Sequence, residues 1–135
     1  MTRRVVLICG PPGSGKTTYA QASGLEVYDR DDPWWYDDER RFKRALAKLR
    51  SYPDAQAAVI RAGATASARD ATAHLIGATE VVILKVSAEI CQQRIKKRAR
   101  TNPPIRMQLA AAVTWWENFD QPSSTPTSNV RSREW

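Results

Sequence analysis

Residues 10–18 read Gly-Pro-Pro-Gly-Ser-Gly-Lys-Thr-Thr and follow directly on the apolar run Val5-Val6-Leu7-Ile8-Cys9. A continuously apolar run of that length predicts a strand buried on both faces. Gly10 to Thr17 fits the pattern G-x-x-x-x-G-K-[ST], with the strand before it and a predicted helix, Gly15 to about Ser23, behind it. The glycines let the backbone wrap so that successive N–H groups point inward at phosphate oxygens. The helix N-terminus adds its partial positive charge. Gly10, Pro11, Pro12, Gly13, Ser14, Gly15, Lys16, Thr17 and Thr18 are therefore the expected nucleotide-binding stretch. Lys16 is expected to reach the β- and γ-phosphates and the Thr17 hydroxyl to ligate Mg²⁺. Thr18, one position further in, is expected to pack. The expected ligand is ATP or another nucleoside triphosphate.

Beyond this loop the chain alternates strand and helix signals. Leu25–Tyr28, Ala57–Ile60 and Val81–Val86 read as strands. Asp37–Arg50 carries Phe42, Leu46 and Leu49 on one helical stripe. Ala64–Ile76 is alanine-rich and reads as a helix. Ala88–Ala99 places Arg94 and Arg98 one turn apart on one face. Thr101–Pro104 reads as a loop, and Ile105–Phe119 as a last helix with Leu109, Val113 and Trp116 on one side. Alternation of this kind predicts a parallel sheet with right-handed crossovers, an α/β/α sandwich of about four strands. The expected domain is 1–119. Residues 120–135, polar and ending in Trp135, read as a disordered tail that could dock a protein partner.

The 135 residues suit one domain, and the 42% apolar content suits a globular fold. No apolar run approaches a membrane span, and the stretch before the glycine loop is too short for a signal peptide. Cys9 and Cys91 lack metal-ligand spacing and are expected to be reduced thiols in a cytoplasmic protein. The net charge of +7 is unevenly spread. Asp29, Asp31, Asp32, Asp37, Asp38 and Glu39 crowd one segment. Lys85, Arg94, Lys96, Lys97, Arg98, Arg100 and Arg106 crowd another, which suits phosphates on a nucleotide or a nucleic acid or, equally, a solvated helix face.

The predicted third and fourth strands end in Arg61 and Lys85, without the magnesium-supporting acid of many P-loop ATPases, which argues against a motor-type ATPase. Acids follow the second strand instead: Asp29, Asp31 and Asp32. Ligands of open parallel sheets sit at the carboxyl ends of strands, so these carboxylates are expected to face the phosphate loop, where Asp31 or Asp32 can take the proton of an attacking hydroxyl. Arg94 and Arg98, ahead of a proline loop, are placed to act as a lid over ATP and to stabilise the transferred charge.

The stretches "GPPGSGKTTYA", "YDRDDPWW", "CQQRIKKRAR" and "IRMQLAAAVTWW" resemble the kinase domain of phage-type polynucleotide 5′-hydroxyl kinases, within the adenylate-kinase-like P-loop kinases. The resemblance runs through most of residues 3–119. It implies the P-loop NTPase fold, Asp31 as general base, Lys16 and Thr17 on the phosphates and the metal, and Arg98 as a lid arginine with Arg94 a turn before it. Two positions depart from the family. Trp34 stands where an arginine holds a substrate phosphate, and Arg61-Ala62-Gly63 replaces an aspartate beyond the third strand. Arg61 can restore part of that charge, and Trp34 can stack on a base or pack in the core. Asp32, Trp34 and Arg61 are thus the candidate acceptor residues. Phosphoryl transfer from ATP to a nucleic acid 5′ end is the first expectation. A nucleoside, nucleotide or sugar kinase is the second, and a nucleotide-binding interaction protein with little turnover the third.

Overall fold

The first strand is the middle of the protein. In the computed structural model, which describes residues 2–121 and 125–131, β1 (Arg4–Cys9) lies at the centre of a five-stranded sheet. The others are β2 (Glu26–Asp29), β3 (Gln56–Arg61), β4 (Glu80–Leu84) and β5 (Thr127–Val130), in the order β2-β3-β1-β4-β5. All neighbours pair in parallel. The register sets Cys9 beside Arg61 and Ile83, and Asp29 beside Ile60. The carboxyl ends of β1, β2 and β3 therefore finish on one rim, and the loop after β1 opens onto it.

Helices α1 (Lys16–Ala22), α2 (Glu39–Ser51), α3 (Ala66–Ile76), α4 (Ala88–Arg98) and α5 (Ile105–Asn118) cover the sheet. The pleat sends alternate residues of β1 to opposite faces. Val5, Leu7 and Cys9 join Phe42, Leu46, Ala73, Ile76 and Trp115 in one core layer. Val6 and Ile8 join Ala20, Cys91, Ile95 and Ala112 in the other. A strand needed by two layers must be apolar at every position, which is what Val5–Cys9 supplies. The α/β/α sandwich expected from the sequence is thus the architecture. No helix among the described residues is long and apolar enough to cross a membrane.

Three expectations need correction. Thr18, expected to pack, is exposed on α1. The polar segment after Asp120 contains a strand: β5 pairs with β4 from Val81–Thr127 to Leu84–Val130. The Val81 amide donates to the Pro126 carbonyl at 2.8 Å and the Lys85 amide to the Val130 carbonyl at 2.7 Å. The driving force is backbone pairing rather than side-chain burial, because β4 is apolar and buried and would otherwise keep an open edge. Trp135 lies outside the described residues. The buried face of α5 is Gln108, Ala112 and Trp115, with Val113 exposed, one residue out of step with the expected stripe. Trp115 donates its indole N–H to the Ala62 carbonyl at 2.7 Å, and Trp116 donates to the Val86 carbonyl at 2.9 Å, so two indoles fix the helix rotation.

Candidate functional site

The loop between β1 and α1 is shaped by glycines that no other residue replaces cheaply. Gly13 has φ of 82° and Gly15 has φ of 91°, both in the left-handed region. A Cβ on Gly13 would stand 2.7 Å from the Cys91 carbonyl oxygen of α4. Backbone packing against α4 therefore fixes the loop as a shallow cradle at the start of α1. Lys16 folds over it, donating from Nζ to the Gly10 carbonyl at 2.7 Å and the Pro11 carbonyl at 3.5 Å. Burial pushes the Lys16 ammonium below its ordinary pKa, and the Asp29 and Asp31 carboxylates are among the groups that oppose that shift. The three charges therefore share one site.

From α4, Arg94 reaches the Gly13 and Ser14 carbonyls at 3.4 and 3.3 Å, bracing the cradle from outside. Arg98 donates from Nη2 to Gln108 Oε1 at 3.0 Å. The buried Gln108 amide in turn donates to the Arg100 and Pro103 carbonyls at 2.7 and 2.6 Å. One glutamine thus ties Arg98 to the proline turn behind it. Partial burial and then the neighbouring Arg100 lower the Arg98 pKa, while Asp31 opposes them, so Arg98 lies within reach of the Asp31 charge.

The aspartates after β2 divide. The Thr17 hydroxyl donates to Asp29 Oδ2 at 3.2 Å, and the other oxygen of Asp29 accepts the Asp31 amide at 3.0 Å. Asp31 is exposed and lines the cavity that also holds Lys16 and Asp29. Asp32 turns away: its Oδ1 accepts the Trp34 amide at 2.9 Å and caps the short 3-10 turn Pro33–Trp35. Trp34 is 61% exposed with the Arg41 guanidinium over its ring at 5.2 Å. Asp32 and Trp34 line a separate cavity with Tyr28, Trp35, Lys48 and Tyr52. Of the candidate acceptor residues, the structure brings only Arg61 to the cavity of Lys16.

That cavity has a volume of about 390 Å³. Lys16, Asp29 and Asp31 line it together with Arg30, Arg61, Arg69 and Thr72. Arg30 and Arg61 both ion-pair with Glu39. Cys9 also touches the cavity, but burial pushes its thiol up to about 12, so it is a neutral wall and no nucleophile. Sequence reasoning missed Asp29 as the partner of Thr17, Arg30 as a cavity residue, Glu39 as the ion-pair partner of Arg30 and Arg61, and Arg69 altogether. The acid at the end of β2 was a visible signal. Arg69 gave none, because it sits in an alanine-rich helix with no motif around it.

Neither a protein-family model nor a curated protein sequence matches the chain. Solved structures do. A sugar kinase from Janibacter sp. HTCC2649 superposes with a TM-score of 0.64 at 19% identity, covering 97% of this chain and 86% of that one. The chain shares the α/β/α fold of that structure. A shikimate kinase from Bacteroides thetaiotaomicron gives 0.55 at 14% identity, covering 84% of this chain and 77% of the other. A deoxyadenosine kinase from M. mycoides with bound dATP gives 0.54 at 15%, covering 95% and 91%. The likeness is one of fold, and the named substrates belong to those proteins.

Proposed function

We propose that this P-loop protein is a Mg²⁺–ATP-dependent phosphotransferase that moves the γ-phosphoryl group of ATP to a hydroxyl of a small molecule. The observation that carries the reading is one cavity in which the loop lysine, Lys16, and the exposed carboxylate of Asp31 face the same space. In the proposed reaction the acceptor oxygen attacks the γ-phosphorus as its proton passes to Asp31. The new O–P bond forms, the bond to the β,γ-bridging oxygen breaks, and ADP leaves with that electron pair. Lys16 and Arg98 offset the charge that builds on the transferred group. Arg94 holds the loop carbonyls so that the amides keep facing inward.

The donor set suits a hard cation. The Thr17 hydroxyl and the Asp29 carboxylate lie 3.2 Å apart, and the described residues include no cluster of three or more acids, histidines or cysteines that would hold a metal alone. Magnesium characteristically takes one or two such protein ligands and fills the rest with phosphate oxygens and water. Thr17 and Asp29 would hold it, where it would neutralise charge on the β- and γ-phosphates. Both cysteines are free and buried, which suits a reducing, cytoplasmic setting.

A nucleic acid 5′ end is the second reading. Trp34 favours it, as an exposed ring beside a second cavity of about 380 Å³ whose wall includes Asp32, next in the chain to Asp31. An exposed indole of this kind can stack on a base. Small-molecule transfer is preferred because Lys16 and Asp31 line one cavity that Asp32 and Trp34 do not reach, and because the similar solved structures include sugar, shikimate and deoxyadenosine kinases. The test is transfer of label from γ-labelled ATP to sugars, hydroxy acids, nucleosides and 5′-hydroxyl oligonucleotides in parallel. Label on a small acceptor, lost in Asp31→Asn, supports the first reading. Label on oligonucleotides alone transfers the case to the second, and label on none contradicts both.

A further inference from the structure

The phosphoryl chemistry above leaves two arginines of the cavity, Arg30 and Arg61, unused. Arg30 stands at the end of β2 and Arg61 at the end of β3, neighbouring strands, with side chains only 23% and 25% exposed. One carboxylate holds both. Glu39, in the first turn of α2, accepts from Arg30 Nε and from Arg61 Nη2, each at 2.8 Å. The Arg61 guanidinium also rests over the Phe42 ring at 5.4 Å. Two guanidiniums against one carboxylate leave a net positive charge. The second acid on Arg30, Asp37 at 3.4 Å, has a fully exposed side chain and is screened by solvent.

Each guanidinium carries five N–H donors in a fixed fork, more than Glu39 can accept from the pair. Arg69, with no side-chain exposure, lines the same cavity. Its Nη1 donates to the Gly63 and Ala64 carbonyls at 2.9 Å and its Nη2 to the Asp120 carbonyl, while its Nε is buried with no hydrogen-bond partner among the described residues. A neutral acceptor would take these donors out of water and return little. An oxyanion would pair with them in the bidentate geometry that guanidinium groups favour.

We propose that Arg30 and Arg61, oriented by Glu39, form an oxyanion subsite, so that the acceptor is a small hydroxylated anion carrying a carboxylate or a phosphate besides the hydroxyl that is phosphorylated. Glu39 is a positioning residue. The identity of the hydroxyl partner rests on the phosphotransfer reading; the anion site does not.

The experiment uses matched pairs on the full chain: D-gluconate against D-glucitol, and a nucleoside 3′-monophosphate against the nucleoside. Within each pair the neutral member carries a hydroxyl in place of the anionic group, and the two pairs separate carboxylate from phosphate. The expected result is kcat/KM at least about tenfold higher for the anionic member of one pair. Arg61→Met is expected to bring that ratio to about one, and Glu39→Gln to raise KM for the anion more than it lowers kcat. A ratio of one in the wild type, or one unmoved by Arg61→Met, overturns the subsite. Where Arg61→Met does not fold, Arg30→Lys is read for the same ratio. Binding is followed separately by calorimetry with a non-hydrolysable ATP analogue present. Heat from an anion, none from its neutral partner, and no label transferred would sink the phosphotransfer reading and leave the subsite standing. Absence of anion binding overturns the subsite.

Discussion

Asp29 and Asp31 lie two residues apart and meet different partners. Asp29 is committed to the Thr17 hydroxyl and the Asp31 amide, whereas the Asp31 side chain stays exposed toward the cavity. Asp31→Asn is therefore expected to lower kcat by about 10²–10⁴-fold, with nucleotide affinity little changed, as steady-state rates and calorimetry will report. Glu39 carries a pH signature. The hydrogen bond from Arg61, with that from Arg30, outweighs burial and holds its carboxyl below the usual glutamate range. A depressed folded-state pKa gives stability that is complete above the unfolded value near 4.5 and lost as pH falls through the folded value. Urea unfolding should show Glu39→Gln less stable than wild type at pH 7, with the gap closing below about pH 4.5. The residues proposed to bind phosphate were legible because their chemistry is contiguous, nine successive positions from Gly10 to Thr18. Arg30, Glu39 and Arg69 were not, because they meet only when three separate elements fold together. Asp32 was grouped with Asp31 by adjacency and Trp34 by the resemblance, and a local capping bond sets both on a separate cavity.

The helices and strands followed from period and apolar content, and their departures have local causes. Gln108 takes the buried position in α5 because its amide closes the turn at Arg100 and Pro103, a use of polarity that an apolar stripe does not record. Thr127–Val130 is too polar to announce a strand, yet it pairs along β4. Deleting the chain after Gln121 is expected to lower the melting temperature and promote association, since the Val81–Leu84 edge would stand open; calorimetric melting and light scattering check this. Arg3 joins two helix ends, donating to Leu49 of α2 at 3.0 Å and to Ile76 and Gly77 after α3 at 2.8 and 2.9 Å. Arg3→Ala should cost about 1–3 kcal/mol in urea unfolding while leaving nucleotide binding intact, because these contacts lie at the opposite end of the sheet from the loop.

Strands β1, β2 and β3 of the parallel sheet deliver cradle, carboxylates and arginines to one rim. The sandwich was evident from alternation alone. The strand order, which sets β3 between β1 and β2 and places α1 so that Thr17 meets Asp29, was not, because parallel neighbours are chosen by long-range packing. The proposal depends first on the cradle gripping a triphosphate. Calorimetric titration with Mg²⁺–ATP, on the wild type and on Lys16→Met, addresses this without any knowledge of the acceptor. Saturable binding by the wild type, weakened at least about 100-fold in a Lys16→Met variant that keeps its helical circular dichroism, is the expected result. No heat with the wild type, or equal affinity in the variant, would contradict it.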